Sequence, residues 1–91
     1  MTGCDLVLDI VNEKGLHARA SAKFVETVES FDAAAVVSRD GMVVSGDSIM
    51  GLLMLGAAIG TQIEVKTSGT QATELADAIK ELVGSKFGEG K

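Results

Sequence analysis

The sequence predicts an α/β (α+β) fold, a two-layer, open-faced sandwich in which an antiparallel sheet is covered on one face by helices. Three observations support this class. The hydrophobic pattern switches between strand and helix spacing in the order β-α-β-β-α-β-α. An Asp-Gly pair separates two β-rich segments, as in a tight hairpin. The length of 91 residues suits one domain, residues 1–91, with a core of its own.

The first half of the chain contains three predicted strands and one helix. Over 5–11, Leu6, Leu8 and Ile10 lie on one face and Val7, Asp9 and Val11 on the other, and this period of two with β-branched residues is typical of a half-buried strand. The spacing becomes helical over 18–30, where apolar side chains share one face. Short strands are predicted over 34–38 and 42–45, because both are rich in β-branched residues and flank the Asp-Gly turn.

The second half of the chain adds two helices and one strand. Ser48 precedes a short apolar helix over 49–55, and serine is a preferred helix N-cap. Alternation over 61–67 predicts the fourth strand. Thr70 is expected to cap a last amphipathic helix, which ends at Gly84. These patterns do not determine the order of the strands in the sheet.

The composition excludes several classes of protein. A net charge of −5 and 3% aromatic residues argue against nucleic-acid binding, which needs clustered cations and stacking rings. The single cysteine, Cys4, cannot form an internal disulfide, and one Cys with one His cannot complete a zinc site. No apolar segment is long enough to span a membrane, and the N-terminus lacks the features of a signal peptide. We therefore expect a cytoplasmic protein with no metal, cofactor, nucleic-acid or membrane partner.

Positive charge is concentrated around the only histidine. Lys14, Arg19 and Lys23 lie within ten positions that contain no acid, and His17 lies among them. At a helix start, free N–H groups favour an anion, and the positive helix end favours the neutral, nucleophilic imidazole. Arg19 can present a fork of donors to phosphate oxygens. The combination predicts transient phosphorylation of His17, although a lone histidine at a helix start is also a common structural cap.

The same residues resemble the motifs of a known family. The segments Gly15-Leu16-His17-Ala18-Arg19 and Ser48-Ile49-Met50-Gly51-Leu52 resemble the two motifs of the HPr family, the histidine phosphocarriers of the bacterial phosphotransferase system. The likeness runs essentially end to end, and it includes Gly69 and the 84–88 tail with Phe87.

The resemblance implies both a fold and a function. The fold would be a four-stranded sheet of order 1-4-2-3 covered by three helices. His17 would accept a phosphoryl group on Nδ1 from enzyme I, itself charged by phosphoenolpyruvate, and would pass it to an IIA-type acceptor. Arg19 would be the companion arginine of this site. We therefore expect a monomeric intermediate of phosphoryl transfer rather than an independent enzyme.

One position departs from the family pattern. Ala20 stands where the family usually has proline, so the helix start loses a fixed φ and gains an N–H that can bond phosphate. Alanine here is more similar to the nitrogen-related regulatory branch of the family than to its sugar-uptake branch. The nucleophile itself is unaffected by this departure.

The short apolar helix carries a second prediction. A helix that is apolar on every side is usually buried, but a helix of this length covers only one side of an open sheet. If Leu52 and Leu55 face the sheet, adaptable side chains remain exposed beside His17. The resemblance implies that enzyme I and the acceptors share this surface. We define the docking patch as Ala18, Ala22, Ile49, Met50 and Leu53.

Ser48 has two predicted roles. It caps the short helix, and the matching serine in HPr proteins of several bacterial groups is phosphorylated by an HPr kinase/phosphorylase. A phosphate at a helix N-terminus meets free N–H groups, so the fold is expected to tolerate it. Regulation through Ser48 is therefore implied by the resemblance.

Two other functions remain open. The protein would be a regulatory binding module if its phosphorylation state controls a partner protein rather than sugar uptake. It would be a ligand-sensing domain if His17 only caps a helix. Labelling with phosphoenolpyruvate and enzyme I distinguishes these hypotheses from phosphoryl transfer, because a phosphoramidate is acid-labile and alkali-stable.

Overall fold

The computed structural model describes residues 3–91 as a four-stranded antiparallel sheet with helices packed on one face. The strands are β1 (Gly3–Asp9), β2 (Ala34–Arg39), β3 (Met42–Ser45) and β4 (Gln62–Ser68). The helices are α1 (Ala18–Glu29), α2 (Ile49–Met54) and α3 (Ala72–Gly84), followed by a 3₁₀ turn at Lys86–Gly88. The predicted order of elements and the predicted fold class are confirmed.

The sheet has the order β1-β4-β2-β3, which confirms the order implied by the resemblance. The two central strands are β4 and β2, and β4 pairs with β1 from Gly3 opposite Ser68 to Asp9 opposite Gln62. The Asp40-Gly41 turn joins β2 to β3, and both of its residues have positive φ (49° and 83°). This backbone matches the predicted type of tight hairpin, whose twist suits the strands it joins.

Alternate residues of each strand point toward the helices and form the core. In β4, Ile63, Val65 and Thr67 are buried, whereas the residues between them are exposed. The hydroxyl of Thr67 is satisfied because it donates to the Ala72 carbonyl oxygen (2.9 Å). Both α1 and α3 bury an apolar face, and α1 contacts α2 and α3. The largest fully buried apolar side chains are Phe24, Phe87, Ile10, Leu52, Ile63, Leu75 and Ile79.

The structure corrects one predicted cap. The N-cap of α3 is Gln71 rather than Thr70, and its side chain makes no capping hydrogen bond. Gln71 Oε1 instead accepts from the Asp32 backbone N–H (2.7 Å) and ties the start of α3 to the end of the α1 connection. Thr70 lies in the turn after Gly69, where φ is +108°, so the helix begins one residue later than its local signal predicts.

The strand and helix bounds otherwise differ by one or two residues. β1 ends at Asp9, but Ile10 continues the pairing through its N–H to the Thr61 carbonyl oxygen (2.9 Å). Helix α3 ends at Gly84, as predicted. Within residues 3–91, no helix combines the length and the hydrophobicity needed to cross a membrane.

Candidate functional site

The site lies where the loop after β1 turns into α1. Gly15 has a φ of +64°, and a side chain there would overlap the Ala57 carbonyl oxygen. That same carbonyl accepts from the Leu16 N–H (2.9 Å). Gly15 is therefore required because the backbone passes this close to the loop after α2. The contact fixes the point at which α1 begins.

His17 is the N-cap of α1. The first intrahelical hydrogen bond runs from the Ser21 N–H to the His17 carbonyl oxygen (2.8 Å), so the N–H groups of the preceding turn point out of the helix end. One of them, the Arg19 N–H, donates to Nδ1 of the imidazole (3.3 Å). The Nδ1 atom thus lies at the positive end of a 12-residue helix.

The other ring nitrogen of His17 contacts a carboxylate. Nε2 hydrogen-bonds to Glu89 Oε2, and the two side chains are 25% and 14% exposed. The second oxygen, Glu89 Oε1, accepts from the amide of Asn12 (3.0 Å). Asn12 is fully buried, and its amide also donates to the Gly15 carbonyl oxygen (2.9 Å). The imidazole is therefore held through two partners to the loop that precedes it.

The environment of Glu89 favours its ionised form. Burial raises the pKa of this carboxyl group, but hydrogen bonds from Asn12 and His17 lower it. The positive charge of Lys14, and that of His17 in its protonated form, lower it further, and the pKa of Glu89 lies below its usual value. The site therefore holds a carboxylate anion beside the imidazole at neutral pH.

Glu89 reaches the site because the chain folds back after α3. Phe87 is buried in the core, and Lys86 and Phe87 have φ values of 60° and 55°, which turn the chain sharply. The ammonium of Lys23 donates to the Phe87 carbonyl oxygen (2.6 Å). The Glu13 N–H donates to the backbone oxygen of Lys91 (3.0 Å). We call residues 85–91 the C-terminal tail.

A cleft of about 440 Å³ opens in front of the imidazole. Its charged lining is mostly basic, although the chain as a whole is acidic. In the described part of the chain, the Arg19 guanidinium makes no hydrogen bond or ion pair. The cleft therefore suits a small anion facing Nδ1. Its lining residues are Glu13, Lys14, His17, Arg19, Lys23, Gly88, Glu89 and Lys91.

Nothing in residues 3–91 gathers three or more His, Cys, Asp or Glu side chains in a way that would hold a metal ion. The charges around His17 are supplied by side chains and backbone N–H groups. Cys4 does not line the cleft and contacts Thr73 (Sγ to Oγ1, 3.8 Å).

The docking patch lies on the exposed surfaces of α1 and α2. Met50 is 69% exposed and Ile49 is exposed, whereas Leu53 is half-buried. Leu52 and Leu55 are buried against the sheet side, which is the orientation expected from the sequence. On α1, Ala18 is exposed and Ala22 is half-buried. The structure also exposes Met54, which the sequence reasoning did not include.

Ser48 is the N-cap of α2. Its Oγ accepts from the Gly51 N–H (3.0 Å). Gly51 packs so closely on β3 that a Cβ would meet the Val44 side chain at 2.9 Å. The cap therefore holds α2 at a fixed distance from the sheet and places Ser48 beside Ile49 and Met50.

Sequence reasoning identified His17 and Arg19 but missed Glu89 and Asn12. The structure places Arg19, as well as His17, in the cleft. Ala20, which replaces the usual proline, is fully buried and belongs to the core. A signal for Asn12 existed in the sequence, because asparagine before a glycine-containing loop commonly bonds backbone groups. No local pattern pointed to Glu89.

Comparison with known proteins agrees with this architecture. Residues 7–85 match the family model described as the PTS HPr component phosphorylation site. The phosphocarrier protein HPr of Neisseria meningitidis serogroup A is 45% identical over 92% of this chain and 94% of its own length. The phosphocarrier protein NPr of Escherichia coli is 39% identical over 90% of this chain and 92% of its own length.

Solved structures give the same result. The crystal structure of HPr-C-His from Thermoanaerobacter tengcongensis superimposes with a TM-score of 0.90 and 36% identity. The match covers 94% of this chain and 97% of that chain. The chain belongs to the HPr family, the phosphocarrier proteins of the phosphotransferase system.

Proposed function

We propose that His17 accepts a phosphoryl group on Nδ1 from enzyme I charged by phosphoenolpyruvate and passes it to an IIA-type acceptor. One observation carries the proposal: Nδ1 accepts the Arg19 N–H at the open end of α1, so this nitrogen is unprotonated and carries the lone pair of the neutral ring. The Arg19 N–H releases this lone pair when a phosphoryl group approaches. The lone pair attacks phosphorus as the bond from phosphorus to the donor breaks. The electron pair of that bond remains on the donor, and the reverse exchange delivers the group to the acceptor.

The basic cleft supports the handling of a phosphoryl group. A phosphoryl group on Nδ1 would face the N–H groups of the first turn of α1 and the guanidinium of Arg19. Lys14, Lys23 and Lys91 add positive charge around the same space. These fixed charges need little rearrangement during transfer, which is how preorganised donors lower a barrier. Arg19 therefore stabilises the transferring group.

The docking patch is proposed as the contact surface for both enzyme I and the acceptor. Its exposed methionine and isoleucine can adapt to different partners, and small alanines at the start of α1 allow close approach. A carrier must release each partner quickly, and a modest apolar patch without paired charges suits such transient contact. We further propose that the protein acts as a monomer in the cytoplasm.

Ser48 is proposed as a regulatory phosphorylation site, and an HPr kinase/phosphorylase is the enzyme that would modify it. The phosphate would remain at the N-terminus of α2, while its charge would lie next to the apolar docking patch. Phosphorylation of Ser48 would therefore weaken docking of the partner proteins and leave the fold intact.

A second candidate function is a regulatory module whose phosphorylation state controls a partner protein. Ala20 and the 39% identity to NPr of Escherichia coli favour the nitrogen-related branch for this role. This role uses the same phosphorylated His17. It differs in the partner that responds and not in the chemistry of the site.

Labelling with phosphoenolpyruvate and enzyme I tests the proposed function. We expect one phosphate per chain by mass spectrometry, lost in acid and retained in alkali. His17→Ala should abolish the label. It also removes the N-cap bond from the Arg19 N–H and the contact with Glu89, so we expect the free energy of unfolding to fall by about 1–2 kcal/mol without loss of the fold. Ser21→Ala serves as a control for an altered α1 start, because Ser21 is buried and bonds only the Leu16 carbonyl through its hydroxyl. Full labelling of His17→Ala would show that the acceptor is another residue.

A further inference from the structure

Glu89 contributes to the site from outside the residues that match the family model. That match ends at residue 85, and Glu89 follows the sharp turn of the C-terminal tail. Its carboxylate does not pair with Arg19 or with a lysine of the cleft. It uses both oxygens, one for His17 Nε2 and one for the Asn12 amide. The carboxylate is therefore committed to the imidazole although four cationic side chains line the same cleft.

The two hydrogen bonds of the imidazole specify its tautomer. Glu89 is ionised and can only accept, so Nε2 must donate and carries the proton. The Arg19 N–H can only donate, so Nδ1 must accept and carries no proton. Both partners therefore favour the same neutral tautomer. Asn12 reinforces it, because its two donor bonds fix Glu89 to the loop at Gly15.

We propose that Glu89 is a positioning residue that keeps the proton on Nε2 of His17 throughout the phosphotransfer cycle. This inference rests on the proposed function of His17. It gives the C-terminal tail a role in the chemistry of His17, although the tail lies outside the sequence motif around that residue. Asn12 acts through Glu89 and holds its carboxylate in place.

The charge of Glu89 matters in the phosphorylated state. When the Nδ1 lone pair forms the bond to phosphorus, the ring retains the Nε2 proton and becomes a phosphorylated imidazolium. The carboxylate faces that new positive charge and stabilises it, as the buried aspartate does in a catalytic triad. On transfer to the acceptor, the bond between Nδ1 and phosphorus breaks, and its electron pair returns to Nδ1. The neutral tautomer is restored, and no proton has to leave or enter.

Nitrogen NMR of the unphosphorylated protein tests the tautomer directly. At a pH where the imidazole is neutral, the ¹⁵N-labelled ring should give separate signals for a protonated Nε2 and an unprotonated Nδ1. Glu89→Ala should move both signals toward the average of the two tautomers. Glu89→Gln removes the charge and leaves one amide oxygen for two donors, His17 Nε2 and the Asn12 amide, so we expect a mixture of tautomers. Glu13→Gln is the matched control: it removes a carboxylate from the same cleft without touching the imidazole, and we expect unchanged signals.

Transfer rates test the role of the charge. We expect Glu89→Ala to slow phosphorylation of His17 by about tenfold to a hundredfold, by analogy with the loss of a carboxylate partner from a metal-bound histidine. Glu89→Gln should also slow it, because the variant loses the charge that faces the phosphorylated ring. Wild-type ring signals and wild-type rates in Glu89→Ala would overturn the proposal, and a wild-type rate in Glu89→Gln would overturn the role of the charge. Failure of the proposed function would give a different result. Enzyme I would not label the wild-type protein, although the NMR spectra would still show the expected tautomer.

Discussion

Arg19 illustrates how much of the site depends on a single side chain. Its backbone N–H donates to Nδ1 of His17. Its guanidinium lines the cleft and makes no hydrogen bond or ion pair within residues 3–91. The backbone contribution survives any substitution that keeps α1 intact. The side-chain contribution depends on both the charge and the forked geometry of the guanidinium.

Substitutions at Arg19 separate charge from geometry. Arg19→Lys keeps the charge and loses the fork, so we expect transfer to slow by about tenfold, the equivalent of one charge-assisted hydrogen bond. Arg19→Glu places a negative charge opposite the phosphoryl group and should slow transfer far more. Rapid-quench measurements with enzyme I give both rates. Arg39→Lys is the control, because Arg39 bonds the Leu55 carbonyl outside the cleft. Equal rates for all variants would remove Arg19 from the site.

At the scale of elements, α2 combines a buried side with an exposed one within six residues. Leu52 is fully buried, and Met50 two residues earlier is mostly exposed. A charge introduced on the buried side should therefore impair folding, whereas a charge on the exposed side should impair docking only.

Met50→Glu should weaken docking without unfolding the protein. An exposed substitution usually changes the free energy of unfolding by about 0.5 kcal/mol or less. The KM for the phosphocarrier in the enzyme I reaction should rise by about tenfold or more if Met50 is central to the docking patch. Leu52→Glu is the matched contrast, and it should unfold the protein because a buried charge costs several kcal/mol. An unchanged KM for Met50→Glu would place the docking surface elsewhere.

Phosphorylation of Ser48 should also act on α2 without breaking it. The serine oxygen already accepts from the Gly51 N–H, and phosphate oxygens at a helix start can do the same. We expect stoichiometric phospho-Ser48 to slow phosphorylation of His17 and to leave the melting temperature nearly unchanged. Ser48→Asp should have a weaker effect in the same direction, and Ser68→Asp, which adds an acid at the end of β4, should have none. An unchanged rate with phospho-Ser48 would leave this residue as a cap only.

At the scale of the whole molecule, Glu89 links stability to pH. Its pKa is lower in the folded protein than in an unfolded chain, so ionised Glu89 stabilises the fold above the ordinary glutamate pKa of about 4.3. This stabilisation is lost as the pH falls through the lowered pKa. Urea unfolding should therefore show wild type more stable than Glu89→Gln at pH 7, with the difference vanishing in strong acid. A constant difference at every pH would show that the ionisation of Glu89 does not contribute.

The sequence predicted those features of the molecule that depend on neighbouring residues. Hydrophobic spacing, the Asp-Gly turn and the helix cap at Ser48 together predicted all seven strands and helices, because these signals act between neighbouring residues. Thr70 was placed one residue from the true cap because the signal could not include the distant bond between Gln71 and Asp32. The strand order and the docking role of α2 came from family resemblance, since spacing alone leaves both undetermined.

The contact between His17 and Glu89 shows why the rest could not be predicted. The two residues are 72 positions apart, and Asn12 and Glu89 are 77 apart. They meet because Phe87 occupies the core and the tail turns back through left-handed backbone at Lys86 and Phe87. A glutamate in a polar tail carries no periodicity that distinguishes it from the other acids of the chain.

The long separation between these partners also affects how a newly made chain matures. Helix α1 and its histidine form from local contacts, which are fast, whereas pairing of β1 with β4 and docking of the tail require distant contacts, which are slow. An emerging chain therefore presents an imidazole before its carboxylate has arrived. On the proposed role of Glu89, the proton on the ring is fixed only once residues 85–91 have docked on the loop before α1, so the site is completed late in folding.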